Sequence, residues 1–322
     1  MKVRSCFYTE AKKSRDTGMD KRPFLSEEEK GAGKMKSIYD CYTLSNGYKI
    51  PCMGYGTYKA VEKKNAEIIK SAIDAGYRYF DTASFYGTEE YLAEAIAMSG
   101  LPRKAFFITT KLWKDEMGYE NAKEALEKSL KRLKTDYVDM YLIHWPLPKP
   151  GYKEWKQLDK ETWRALEDLY EAGKARAIGL SNFLPHHIEN ILEDCRIAPM
   201  ADQLEFHPGY SQEAAVQYCQ QRNILVQAWS PIGRTRVLEE TLIKELAEKY
   251  HVSAAQICLR YAVQRGVAPL PKSSSLERMK QNRDVFSFTL STEDMYRLET
   301  MPQCGWSGEH PDRERVPAQQ VG

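Results

Sequence analysis

The sequence predicts an α/β fold: a single (β/α)8 TIM barrel over residues 36–322, with an N-terminal β-hairpin and two extra helices. Three observations lead there. From residue 38 onward, short apolar runs alternate with amphipathic stretches, and such alternation means parallel strands joined by helical crossovers. Eight strand–helix units fit in the chain, which favours a closed barrel over an open doubly wound sheet. A dinucleotide-binding glycine fingerprint is missing. GYGTYK at 54–59 begins G-x-G but has Lys59 where the third glycine belongs, and GAGKMK at 31–36 fails in the same way.

The elements follow in order. Residues 1–35 are rich in Lys, Arg, Glu, Ser and Gly without sustained periodicity, and read as a flexible tail. DCYTLSNGYKIPCMG then sets Asn46-Gly47 between two strand-like runs, a type I′ hairpin signal. Barrel strands are expected at 53–57, 79–81, 106–111, 138–144, 175–181, 200–204, 225–228 and 268–271. Helices are expected at 65–75, 88–98, 119–133, 160–172, 185–195, 212–222, 253–265 and 276–285. The extra helices fall at 238–249, before the seventh crossover, and at 292–300. Local chemistry supports these spans. In 119–133, Ala122, Ala125, Leu126, Ser129, Leu130 and Leu133 mark one face, while Glu124→Lys128 and Glu127→Lys131 pair charges on the other. Gly266 stands at a helix C′ position, and Gly173 turns a helix end into a strand.

Composition narrows the function. Of 322 residues, 42% are hydrophobic, enough for a sizeable core, and a net charge of +2 gives no field for nucleic acid or a membrane surface. Apolar runs are far shorter than a membrane span. The first residues lack the apolar region of a secretory signal. The seven cysteines form no C-x-x-C pair, so reduced thiols in a cytoplasmic protein are expected. No metal is expected either: His186 and His187 are adjacent, and helical neighbours point about 100° apart. A monomer or weak dimer is expected.

In such a barrel, reactive residues lie at the C-terminal ends of the strands. The second strand leads into FDTASFYGTEE, with Asp81 at its end and Tyr86 in its loop. The third ends in Lys111 and the fourth in His144. A carbonyl becoming an alcohol needs a hydride and then a proton at oxygen. Tyrosine can give that proton, but its free pKa is about 10. An adjacent ammonium is expected to lower it, a carboxylate would hold that ammonium charged, and an imidazole could orient the carbonyl. Each residue also has an ordinary structural role open to it. The four types together on three successive strand ends carry the reading.

At this point the chain resembles the aldo-keto reductases over nearly all of residues 38–310. The matching stretches are MGYGTY, DTASFYGTEE, ITTKLW, YLIHWP, IGLSNF, DQLEFHP, WSPIG and LPKSSSLERMKQN. The resemblance implies reduction of aldehydes or ketones, including keto-sugars, by NADPH. It assigns catalysis to Asp81, Tyr86, Lys111 and His144, with Tyr86 as proton donor. It assigns cofactor contacts to Thr57, Asp81, Ser181, Asn182, Gln203, Trp229, Ser230, Ile232, Lys272, Ser273, Arg278 and Asn282. Trp229 takes the place of the aromatic that stacks on the nicotinamide. Lys272, Ser273 and Arg278 match the pocket for an adenosine 2′-phosphate, hence NADPH. The chain departs from the family pattern at Asp202, Phe206 and Gln281, where asparagine, tyrosine and glutamate are common.

Tyr58, Trp113, His144, Trp145 and Trp306 are expected to wall the substrate pocket, with the loop 147–158 and the tail from Gln303 at its mouth. The short segment GRTRV after the seventh strand implies little enclosure of the cofactor. Two other classes compete. A non-catalytic nicotinamide-nucleotide-sensing subunit on the same fold would not need all four reactive groups. A Schiff-base lyase would use Lys111, but Asp81 would keep that amine charged and poorly nucleophilic.

Overall fold

The computed structural model describes residues 35–60 and 66–317. The predicted tail therefore falls outside the described residues except at its last position, as does residue 65 at the start of the first predicted helix.

Strands β1 (Cys41–Thr43) and β2 (Lys49–Pro51) form the antiparallel hairpin, with Tyr42 opposite Ile50. The turn differs from the expected type I′. Gly47 is left-handed at φ 82°, while Asn46 is not among the residues of positive φ. The Gly47 N–H donates to the Leu44 carbonyl and the Leu44 N–H to that of Tyr48. That is a three-residue loop closed by a bulge, in which only the glycine needs positive φ. The Asn46 side chain is occupied elsewhere, its amide donating to the Arg176 carbonyl at 3.0 Å.

The barrel strands are β3 (Tyr55–Gly56), β4 (Tyr79–Asp81), β5 (Phe107–Leu112), β6 (Met140–Ile143), β7 (Ile178–Ser181), β8 (Ala201–Glu205), β9 (Leu225–Trp229) and β10 (Ala268–Pro269). Each pairs in parallel with its neighbours in chain order. The seam is closed by backbone bonds from Gly54 N–H to the Pro269 carbonyl and from Gly56 N–H to that of Pro271, both at 3.1 Å. The interior includes a polar chain. Gln203 Nε2 donates to Asp81 Oδ2 (2.8 Å) and to Gln227 Oε1 (3.1 Å), and Gln227 Nε2 reaches Met140 Sδ. Asp81–Gln203 and Gln227–Met140 join strands that are not neighbours, so these side chains meet inside the barrel. Packing is close enough to require glycine on β7: a Cβ on Gly179 would lie 2.5 Å from the Ala201 carbonyl oxygen.

Around the strands run α1 (Glu67–Asp74), α2 (Glu89–Ser99), α3 (Tyr119–Leu133), α4 (Trp155–Glu171), α5 (Pro185–Leu192), α6 (Glu213–Gln221), α7 (Thr241–Tyr250), α8 (Ala254–Gln264), α9 (Leu276–Arg283) and α10 (Thr292–Glu299). The expected extra helices are α7 and α10. The face predicted for α3 is the one that is buried. Glu124 pairs with Lys128 at 2.9 Å as expected, but Glu127 pairs with Lys174 instead of Lys131. α4 begins five residues earlier than predicted. The buried face of its first turns carries Asp159, an acid that interrupts the apolar period. Burial pushes that carboxyl well above its usual range. Thr88 does not cap α2 with its side chain; its hydroxyl instead bonds those of Thr57 (2.8 Å) and Thr82 (2.9 Å).

Candidate active site

The strand ends bring the four predicted groups together. β4 delivers Asp81, and the following 3-10 turn (Ser84–Tyr86) folds Tyr86 back, with left-handed Gly87 (φ 63°) leading the chain away. Lys111 on β5 is fully buried. Its ammonium donates to Asp81 Oδ1 at 2.6 Å and to the Thr82 carbonyl at 2.9 Å, and it lies 3.4 Å from the Tyr86 hydroxyl. His144, just past β6, places Nε2 3.4 Å from the same hydroxyl. Thr57 supports this loop by donating its hydroxyl to the Asp81 carbonyl at 3.0 Å.

The expected direction of the tyrosine shift is corrected. Burial, then the charge of Asp81 and the neighbouring Tyr58, push the Tyr86 phenol well above 10. Burial, the largest cause, sets the direction despite the nearby ammonium. Tyr86 is therefore a fully loaded acid. Burial, with the positive charges of Lys111 and Lys114, holds the His144 imidazole well below its usual value. Among the described residues, the buried His144 Nδ1 has no partner, which leaves its proton free to sit on Nε2, toward the phenol.

A second group of residues surrounds this centre. Ser181 donates to the Gln203 carbonyl at 2.9 Å, and left-handed Asn182 (φ 64°) donates to the His144 carbonyl at 3.0 Å. Trp229 donates its indole N–H to Asn182 Oδ1 at 2.8 Å, which fixes its ring plane. Ser230 is left-handed at φ 48° and leads with Ile232 into the 3-10 segment Gly233–Glu239. Farther out, Lys272 reaches Ser274 Oγ at 2.7 Å, and exposed Arg278 lies in the first turn of α9, whose cap is Ser275. Among the described residues neither cation has a carboxylate partner. Ser273 and Asn282 are buried beside them. Two unpaired cations at a capped helix start fit a phosphate group. An amide-bearing pair beside an orientated indole fits an aromatic carboxamide.

The expected pocket walls separate. Tyr58 packs on Tyr86 with ring centroids 4.9 Å apart, and Trp113 meets His144 edge-on at 4.9 Å. Trp145 lines a cavity with Asn182, Trp229, Tyr210, Glu309 and Pro311. Trp306 lies one layer back, stacking on Tyr210 at 6.0 Å and donating to the Glu309 carbonyl. Sequence reasoning missed Phe85, which stacks flat on Trp113 at 3.9 Å and is 53% exposed. Its place beside Tyr86 in the loop was the available signal.

His186 and His187 converge, contrary to expectation. Their ring centroids are 3.8 Å apart, and both face Asp312 of the tail, His187 Nε2 at 2.9 Å. His187 Nδ1 accepts the Leu184 N–H at 3.1 Å, so its proton sits on Nε2 and is directed at Asp312, leaving that nitrogen no lone pair for an ion. Burial, then His186, holds His187 down to about 4, against the pull of Asp312. Unfolded imidazoles titrate near ~6.5. Below that pH the unfolded chain binds protons that folded His187 refuses, so its contribution to stability falls as pH drops from about 6.5 toward 4. Thermal midpoints between about pH 7.5 and 5.5 should fall less steeply in His187→Gln than in the wild type; equal slopes would remove this contribution.

The fold and the groups at its mouth define a class: a (β/α)8 oxidoreductase that uses NAD(P)H and acts on carbonyl groups. Residues 52–302 match the Aldo/keto reductase family, and the chain belongs to that family. It is 43% identical over 277 residues to the glyoxal reductase of Bacillus subtilis, covering 86% of this chain and 98% of that protein. It is 38% identical over 282 residues to the 9,11-endoperoxide prostaglandin H2 reductase of Trypanosoma cruzi, covering 86% and 97%. Among solved structures, an aldo-keto reductase of Bombyx mori in complex with NADP matches with a TM-score of 0.74 at 33% identity, over 87% of this chain and 95% of that one. Among the described residues, no helix is long and apolar enough to cross a membrane.

Proposed function

We propose that this protein reduces aldehydes and ketones, keto-sugars among them, with NADPH, and that Tyr86 delivers the proton. The observation that carries this reading is the unbroken chain Asp81–Lys111–Tyr86–His144 at the strand ends, with contacts of 2.6, 3.4 and 3.4 Å. When bound, NADPH supplies the hydride. His144 Nε2 and the Tyr86 hydroxyl hold the carbonyl oxygen between them. As negative charge develops there, Tyr86 releases its proton to it. Lys111, kept cationic by Asp81, then stabilises the phenolate. Ser181, Asn182 and Gln203 hold the carboxamide, Trp229 backs the ring, and Ser230 and Ile232 border the phosphate path. Thr57 steadies the Asp81 loop. Lys272, Ser273, Arg278 and Asn282 take the adenosine end.

A complete proton chain counts against the nucleotide-sensing alternative, which has no use for it. The reading is tested by following NADPH consumption against a panel of aldehydes, ketones and keto-sugars. Protein that binds NADPH but oxidises none with any carbonyl would contradict it. The pocket assignment has its own test. Arg278→Ala should raise KM for NADPH by about tenfold or more while changing KM for NADH far less, since a charge-assisted phosphate contact is worth about 1.5–3 kcal/mol. Parallel changes for both cofactors would remove Arg278 from the 2′-phosphate pocket. One barrel domain over the described residues belongs to this proposal. So do a cytoplasmic location and a monomer or weak dimer.

A further inference from the structure

The mouth of the site holds a cation, Lys114, that the proposed reaction does not use. Lys114 opens the 3-10 turn Lys114–Glu116 that follows β5. Its ammonium stands 4.8 Å from the ring centroid of Trp145 and 5.7 Å from that of Trp113. Trp113 is the ring that meets His144 edge-on at 4.9 Å, and Trp145 lines the cavity beside Asn182 and Trp229. Lys114 therefore sits on the rim shared by the reacting groups and the cavity.

No carboxylate among the described residues pairs with it directly. Glu116 turns away, one oxygen accepting from the Trp113 N–H at 2.7 Å and the Ser84 hydroxyl at 2.6 Å. Glu309 lines the cavity, but Arg315 (3.2 Å) and Arg234 (3.8 Å) already hold its Oε1. Among the described residues, Lys114 has no carboxylate within ion-pair distance. The acids that line the cavity are already engaged, Glu205 by the Ser307 N–H (2.9 Å) and hydroxyl (2.6 Å) and Glu309 by the two arginines. Burial holds the lysine somewhat below its usual pKa, while Glu309 and Glu314 act on it through space. A half-buried ammonium flanked by two indoles has lost part of its water, and an incoming anion would replace it.

We propose that Lys114 determines substrate specificity by binding a carboxylate carried by the substrate, so that the preferred substrates are aldehydes and ketones that are also acids. This rests on the carbonyl-reductase reading above. The test compares 4-carboxybenzaldehyde with methyl 4-formylbenzoate, which share ring and carbonyl and differ in charge. The wild type should favour the acid in kcat/KM, mainly through KM, and the preference should shrink as salt is raised. In Lys114→Gln the acid-to-ester ratio should fall about tenfold, and Lys114→Arg should restore most of it. Any indirect effect of Lys114 on His144 acts on both substrates and cancels in the ratio. A wild type that reduces the ester as well as the acid, or a ratio unchanged in Lys114→Gln, overturns the proposal and leaves carbonyl reduction standing. Reduction of neither compound overturns the Lys114 proposal, and carbonyl reduction itself falls only if the wider panel also fails.

Discussion

Tyr86→Phe should lower kcat by about a thousandfold or more, the upper part of the range for a positioned general acid, while the protein still folds and binds NADPH. Among the described residues, the hydroxyl touches only Lys111 and His144, each at 3.4 Å, so its loss removes two long contacts and leaves the ring in place against Tyr58. The resting phenol is held well above 10 by burial and by Asp81, so it does not leak its proton before the substrate develops charge. Steady-state turnover and cofactor fluorescence titration on the two proteins check both halves. A variant that turns over at the wild-type rate would dismiss Tyr86 as the donor without touching the fold.

Lys111→Met should produce the largest loss of stability in the site. Its ammonium is fully buried and bonded at 2.6 Å to Asp81, itself 4% exposed. Removing the cation strands a buried carboxylate whose remaining side-chain donor is Gln203, at a cost of about 3–5 kcal/mol. Adding Asp81→Asn should recover about 2 kcal/mol, because the stranded charge is gone. Neither variant should reduce carbonyls. Urea unfolding gives the answer: a single variant with the wild-type midpoint would mean that the pair contributes nothing, and a double variant no better than the single would mean that the stranded charge is not the cause.

Much of this was legible in the sequence because the relevant signals are local. A strand ending in a reactive side chain is written in a few residues, as in Tyr79–Asp81 followed by Tyr86. Chain order alone then fixes which strand ends are neighbours, so Asp81, Lys111 and His144 could be placed together before any geometry. The errors lie where a distant partner decides. Glu127 has Lys131 one turn away yet pairs with Lys174, just past the end of α4. The first turn of α4 hides behind Asp159, whose burial no local pattern reveals. Trp306 has the residue type of a pocket wall but is held behind Tyr210. His186 and His187 diverge on an ideal helix, but near the helix start their rings turn together toward Asp312. The tyrosine shift failed for a similar reason. The ammonium and its carboxylate were visible in the sequence, whereas the degree of burial was not.

The measurement that bears most directly on the central claim is product stoichiometry with the purified protein. NADPH and an aromatic aldehyde are mixed, cofactor loss is followed by absorbance, and alcohol is quantified by chromatography, for wild type and Tyr86→Phe together. The account predicts one alcohol per NADPH oxidised in the wild type and almost none in the variant, although both bind the cofactor. NADPH that binds the wild type and yields no alcohol from any aldehyde or ketone would contradict it.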